Sequence, residues 1–248
     1  MILDFASCLG VLQKEGLRLA EVTGQVSLDT AVPSCPDWVV RDLVRHTGWV
    51  HRWAGLVISE GRTEPPSDLR EPIPAGWPSD AGLLDWFREG HERVVRALES
   101  APADLRCWTI MDAPEPRAFW ARRQAHETSI HRVDAELAAG NVSGFDPVHA
   151  ADGIDELLVW FIDRPGRGPT APEELTLGVH ATDVNRAWTA RFGPEGAQGR
   201  RGMGEAGCTV SGDAGDLYPY LWSRTPLGGL HVDGDPAVLG QWRESSSF

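Results

Sequence analysis

RAFWARRQAHETSIHRVDAELAAG, residues 117–140, decides how the chain is read. Its residues are good helix formers, and Gly140-Asn141 supplies a stop of the left-handed kind, so the stretch predicts a helix of more than six turns. Within it Glu127 and His131 stand four apart and project from one face, one turn from each other. A carboxylate oxygen and an imidazole nitrogen placed so can share one metal ion, zinc above all. His126 precedes Glu127 by one residue and points elsewhere. The spacing is not HExxH, so a metalloprotease is not indicated. By spacing alone, an ordinary solvent-facing Glu–His pair is the more common meaning of this pattern.

Working outward, three more helices precede this one. Leu9, Leu12, Leu19 and Val22 recur at helical intervals and predict a first helix over about residues 3–24. The Pro-punctuated turn VPSCPDW, residues 32–38, leads into a long second helix, residues 39–61. A Pro- and Gly-rich loop, residues 62–78, precedes a third helix over residues 80–100, which carries Leu83, Leu84, Phe87, Val94, Val95 and Leu98. Four such helices suit a bundle whose core can hold metal ligands from facing helices. On the second helix His46 lies between Leu43 and Val50, near the apolar stripe. His51 is rotated well off that line. Spacing cannot join His46 to Glu127.

Beyond about residue 145 the pattern changes. A helix over residues 147–162 is followed by strand-like runs LTLGVHATD, RAWTARFG and CTVSGD with partial two-residue alternation. DAGDLYPYLWSR reads as a helix capped by Asp213. A last strand, GLHVDGD, and a short helix, PAVLGQWR, complete an α+β pattern. The expected division is residues 1–145 and 146–248.

Composition narrows the function classes. The chain has 248 residues, with 42% hydrophobic and 24% charged, enough for a buried core. Its net charge of -13 and scattered arginines would repel a polyanion, which argues against nucleic acid. Lys14 is the only lysine. Cys8, Cys35, Cys107 and Cys208 form no CxxC pair, which argues against a zinc ribbon or a disulfide framework. The first residues lack a signal-peptide pattern, and no apolar run approaches the roughly 20 residues of a membrane span. A cytoplasmic monomer without membrane attachment is expected.

VPSCPDWVVRDLVRHTGWVHRWA, residues 32–54, closely resembles the N-terminal domain of the mycothiol-dependent maleylpyruvate isomerase family, part of the wider DinB-like group of metal-binding four-helix bundles. Its VPxCPxW turn is matched by Val32–Trp38, and its xDLxxH element by Asp42–His46. The second hallmark, RRxxHExxxHRxDAE, is matched by Arg122 to Glu136. DGxDELL, residues 152–158, and GDAGDLYPYLWSRTPLGGLHVDGDP, residues 212–236, look like the family's sterol-carrier-like C-terminal domain. The fold class implied is therefore mixed: an N-terminal DinB-like four-helix bundle and a C-terminal α+β sterol-carrier-like domain. The family's Thr after the CPxW Trp is replaced by Val39, so a Thr-based N-cap of the second helix is expected to be lost.

The resemblance joins the ligands. It implies that His46, Glu127 and His131 hold the metal, zinc or another divalent ion, with at least one position open for mycothiol, the low-molecular-weight thiol of actinobacteria. Metal withdraws charge from sulfur, favouring a thiolate that attacks an electrophilic metabolite such as maleylpyruvate. The implied activity is a zinc-dependent isomerase, in which the thiol is expelled again, or an S-transferase, in which the adduct leaves. Arg224 matches an Arg of the C-terminal domain and could pair with a substrate carboxylate or the thiol cofactor; the alternative is a surface Arg at a helix end. Asp134, three residues past His131, could orient that imidazole, or serve as an exposed salt partner. Trp49, Trp53 and Trp120 could wall a pocket or fill core. Cys35 is expected to pack in its turn. Two other functions are compatible: a metal enzyme working without thiol, and a non-catalytic small-ligand carrier.

Overall fold

The computed structural model describes residues 3–66, 68, 73, 75–164, 166 and 168–246. The described residues divide into two compact units, one within residues 3–143 and one within residues 144–246.

The first unit consists of α1 (Phe5–Thr23), α2 (Val40–Glu60), α3 (Leu83–Ser100), introduced by a 3-10 turn at Asp80–Gly82, and α4 (Pro116–Ala139). Each boundary has a local cause. Asp4 caps α1 by accepting from the Ser7 N–H at 2.8 Å. Pro116 opens α4 where its missing N–H costs nothing. Gly61 and Gly140 close α2 and α4 in the left-handed conformation, with φ of 58° and 78°. At both ends the next residue's N–H reaches back to a carbonyl of the last turn: Arg62 to Val57 and Asn141 to Glu136.

At α2 the structure modifies the expected loss of the cap. Val39 has no side-chain acceptor, but the Asp42 carboxylate still accepts the Val39 N–H at 3.1 Å. Half of the reciprocal capping arrangement therefore survives.

Contacts give the bundle its direction. Arg132 meets Glu15 and Glu136 meets Arg18, so α1 and α4 run parallel. Arg52 reaches the Trp86 carbonyl and Gly55 lies against Val94, so α2 and α3 are also parallel. Trp53 meets Trp120 while His46 meets Glu127, which makes α2 and α4 antiparallel. The order is up-down-down-up. Parallel α2 and α3 need a connection that returns the length of the bundle, which accounts for the long segment between them. Leu19, Val22, Val40, Leu43, Val44, Leu83, Phe87 and Ala135 form a buried cluster at one end of the bundle.

His51 lies in the bundle interior, not off the apolar face as expected. It is fully buried between Phe87, His91 and Thr128, with Nε2 2.9 Å from the Thr128 hydroxyl. The Thr128 hydroxyl donates to the Gln124 carbonyl at 2.7 Å, so it accepts from His51 Nε2–H. Desolvation, then the neighbouring His91, holds His51 well below its usual pKa, consistent with a neutral ring.

The second unit has α5 (Pro147–Glu156), which runs into a π-helical turn at Leu157–Phe161, then β1 (Leu175–Ala181), β2 (Arg186–Gly193), β3 (Gly196–Arg201), β4 (Cys208–Gly212), α6 (Ala214–Leu221), β5 (His231–Gly234) and α7 (Ala237–Ser245). The sheet order is β3-β2-β1-β4-β5, antiparallel throughout except for the parallel β1–β4 pair. Asp155 ties α5 to the sheet: it accepts from Trp188 Nε1 at 3.0 Å and from Arg201 at 2.7 and 2.8 Å. The strand β3 was not expected. GAQGRR has no apolar alternation, and pairing with β2 forms it. Asp213 begins α6 but makes no side-chain cap bond; Asp183 accepts the Ala214 N–H instead, at 3.0 Å.

No helix among the described residues is long and apolar enough to cross a membrane.

Candidate metal centre

The antiparallel faces of α2 and α4 bring His46, Glu127 and His131 together, with one potential ligand atom from each lying within 4.8 Å of the others. Glu127 Oε1 sits 3.4 Å from His46 Nε2 and 3.3 Å from His131 Nε2. Those separations match the edges of a tetrahedron with arms of about 2.0–2.1 Å, the length of zinc–nitrogen and zinc–carboxylate bonds. Two imidazole nitrogens and one carboxylate oxygen also suit zinc chemically, and nickel, iron or cobalt as well. The cluster fits a divalent ion.

The surroundings orient each member. His131 Nδ1 is 2.9 Å from Asp134 Oδ2, and Asp134 is fully buried. With the Nδ1 proton held there, a neutral His131 presents its Nε2 lone pair to the cluster. Asp134 is itself fixed by the Ser34 hydroxyl, which donates at 2.6 Å, while the Cys35 thiol lies 3.9 Å away. Arg123, one turn before Glu127, donates to Glu127 Oε2 at 2.9 Å and leaves Oε1 facing the histidines. The VPSCPDW turn is closed by main-chain bonds from Val32 to Trp38 and from Cys35 to Val32. It places the Trp38 ring 4.9 Å from His46 and 6.0 Å from His131.

Sequence reasoning assigned no role to Arg123, Ser34 or Trp38. Arg123 had a readable signal, since it stands four residues before Glu127 on one helix face. Ser34 meets Asp134 and Trp38 meets His131 across long sequence separations that spacing cannot reveal. Arg224 lies in the second unit, after α6; its guanidinium donates to the Trp222 carbonyl at 2.7 Å. Cys35 packs beside the buried cluster of the bundle, as its turn position suggests.

The electrostatics are those of a charged cluster in a partly closed setting. Burial by itself would raise the Glu127 pKa, but bonds to His131 and His46 and the Arg123 charge hold it well below the usual carboxylate range. Burial by itself would lower the His131 pKa, yet Asp134 and Glu127 outweigh it and bring it to about 9. Without metal, His131 is therefore an imidazolium at pH 7. A pKa raised from 6.5 to about 9 stabilises the metal-free fold fully below about pH 6.5, and that contribution is lost as pH rises through 9. Metal must displace the Nε2 proton. Metal affinity is thus expected to rise about tenfold per pH unit between pH 7 and 9 and then level off, with about one proton released per ion bound. Titration calorimetry in buffers of different ionisation enthalpy measures this. A flat affinity over that range would remove the imidazolium from the account.

Fold and site together define a class: a four-helix bundle carrying a two-histidine, one-carboxylate cluster, followed by an α+β unit with a mixed five-stranded sheet. The family described as the mycothiol maleylpyruvate isomerase N-terminal domain matches residues 10–136, and the family's C-terminal domain matches residues 148–241. The chain belongs to the mycothiol maleylpyruvate isomerase family, named for enzymes that use a thiol in an isomerisation. Two solved structures share the fold over 93% of both chains. A crystal structure of the mycothiol-dependent maleylpyruvate isomerase has a TM-score of 0.65 at 16% identity. One of its histidine-to-alanine mutant has a TM-score of 0.64 at 15% identity. A search of curated proteins finds no match.

Proposed function

We propose that the chain is a thiol-using isomerase whose reaction centre is a divalent metal, zinc by preference, held by His46, Glu127 and His131, with mycothiol as its thiol. The observation that carries this reading is the convergence of those three side chains on the two helices matched by the isomerase family. The substrate is a small electrophilic unsaturated acid of the maleylpyruvate kind. An S-transferase reaction on a similar electrophile is the nearest variant, since it uses the same centre and differs in whether the product keeps the sulfur.

A bound metal supplies a Lewis acid that lowers the pKa of a thiol toward neutrality. Mycothiol supplies a nucleophilic sulfur able to add to, and leave, an electron-poor carbon. The chain's residues prepare the centre for both. Asp134 keeps the His131 Nδ1 proton and aims Nε2. Arg123 keeps Glu127 ionised and turned toward the histidines. The Trp38 ring covers His46 and His131 on one side, which limits water there. Arg224, which matches an Arg of the family's C-terminal domain, is proposed to pair with a carboxylate of substrate or thiol. A cytoplasmic, monomeric enzyme suits a thiol kept reduced.

Thiol-dependent conversion of maleylpyruvate by the metal-loaded protein tests the reading. Turnover that needs mycothiol supports it; equal turnover without thiol would assign the chemistry to the metal alone. Asp134→Asn is expected to weaken metal binding about 10- to 100-fold with the fold retained, because Asn can hold the wrong tautomer of His131. Unchanged affinity in that variant would leave Asp134 a packing residue only.

A further inference from the structure

The faces of α2 and α4 that hold the cluster also carry a strip of tryptophans. His46, Trp49 and Trp53 stand at i, i+3 and i+7 on α2, which places them along one side of the helix. Trp120 and Glu127 are seven apart on α4 and likewise share a side. Because the helices are antiparallel, the strip begins one turn from His46 and ends where Trp53 meets Trp120.

The rings touch in sequence. Trp49 stacks on Trp53 at 6.0 Å with an interplanar angle of 17°. Trp53 meets Trp108 and Trp120 edge-on, each at 5.5 Å. Trp120 is fully buried and anchors Trp108 by donating its Nε1 proton to the Trp108 carbonyl at 2.9 Å. Trp49, Trp53 and Trp108 are only partly buried. The buried cluster at the other end of the bundle is built mainly of Leu and Val with Phe87. Partly exposed indoles beside a polar cluster, with Trp49 and Trp53 nearly parallel, form a preorganised apolar surface suited to stacking against a planar group.

We propose that this strip is a substrate platform, and that the site takes an unsaturated acid bearing an aromatic or other flat apolar group. The inference rests on the reaction centre proposed above and deepens it by naming the substrate class. Trp120 and Trp108 fix the base. Trp53 and Trp49 offer the stacking face, and the reactive end of the molecule reaches toward His46 and Glu127.

The test is a binding measurement on the full-length, metal-loaded chain. Calorimetric titration compares trans-3-benzoylacrylate with fumarate, which carries a carboxyl in place of the benzoyl group. The aryl acid is expected to bind about tenfold more tightly, the effect of one well-made aromatic contact with its buried area. Trp53→Leu is expected to bring the ratio close to one, and Trp49→Leu to reduce it. Trp49 is only partly buried and lies at the open end of the strip, so its variant keeps the test usable if the Trp53 variant folds poorly. Equal binding of the two acids to the parent protein, no binding of either, or an aryl preference that survives both substitutions would overturn the platform. Thiol-dependent turnover of maleylpyruvate is read separately, so a failure of the isomerase reading is seen apart from a failure of this one.

Discussion

Replacing His46 with Ala is expected to strip the protein of its metal and lower thiol-dependent turnover at least about a thousandfold, a loss of about 4 kcal/mol of transition-state stabilisation. The size follows from the geometry. Glu127 and His131 come from one helix, and His46 is the ligand that α2 brings to them. Two ligands without it form a plain i,i+4 pair on one helix with little hold on an ion. The fold is expected to survive, because the His46 side chain is 35% exposed and its one ion-pair contact among the described residues is the 3.4 Å approach to Glu127. Metal analysis, activity and thermal melting on one preparation separate the outcomes. A variant that stays folded but keeps a full complement of metal would remove His46 from the site.

The largest effect on stability is expected at Glu136, near the end of the same helix. Its carboxylate is fully buried. It accepts from Arg132 at 2.7 Å, from Arg18 at 2.9 Å, and from the Ser143 N–H at 2.8 Å and hydroxyl at 2.9 Å. Arg132 is in turn held by Glu15 at 2.7 Å and is almost fully buried. Glu136→Ala removes one of the two carboxylates that hold the buried Arg132, leaving Glu15, and takes the acceptor from Arg18 and from the Ser143 N–H and hydroxyl. Breaking a buried pair in this way costs about 3–5 kcal/mol. For a chain of this size the melting temperature is expected to fall on the order of 10 °C. Denaturant unfolding measures the loss, and a change below about 1 kcal/mol would show that solvent or neighbouring groups replace the carboxylate freely. Glu136→Gln, which keeps some of the hydrogen bonds, is expected to fall between.

Much of this was legible before any coordinates. The caps and stops of α4, and the shared face of Glu127 and His131, follow from helix geometry applied to one stretch of sequence. The placement of His46 opposite them does not, because 81 residues separate it from Glu127 and no periodicity reaches that far. Family resemblance supplied that link, and the facing helices now give it a physical form. Asp134 could be read from its i+3 position, but its burial and its bond to Ser34 depend on the turn before α2 folding back onto α4.

Other features were hidden for identifiable reasons. His51 sat off the apolar stripe in projection, yet a Thr128 hydroxyl on the neighbouring helix gives its ring a polar partner in the interior. The strand β3 has no side-chain pattern of its own and exists by pairing. The parallel run of α2 and α3 was not read from the sequence; contacts such as Arg52 to Trp86 and Gly55 to Val94 define it. In each case the deciding interaction is tertiary, and local sequence is silent on it.

The most direct test of the metal centre is an anomalous-diffraction map of crystals of the zinc-loaded protein. A single strong peak is expected about 2.0–2.2 Å from His46 Nε2, His131 Nε2 and a Glu127 oxygen. A fully occupied ion elsewhere, or no ion between those three side chains at saturating zinc, would contradict the account.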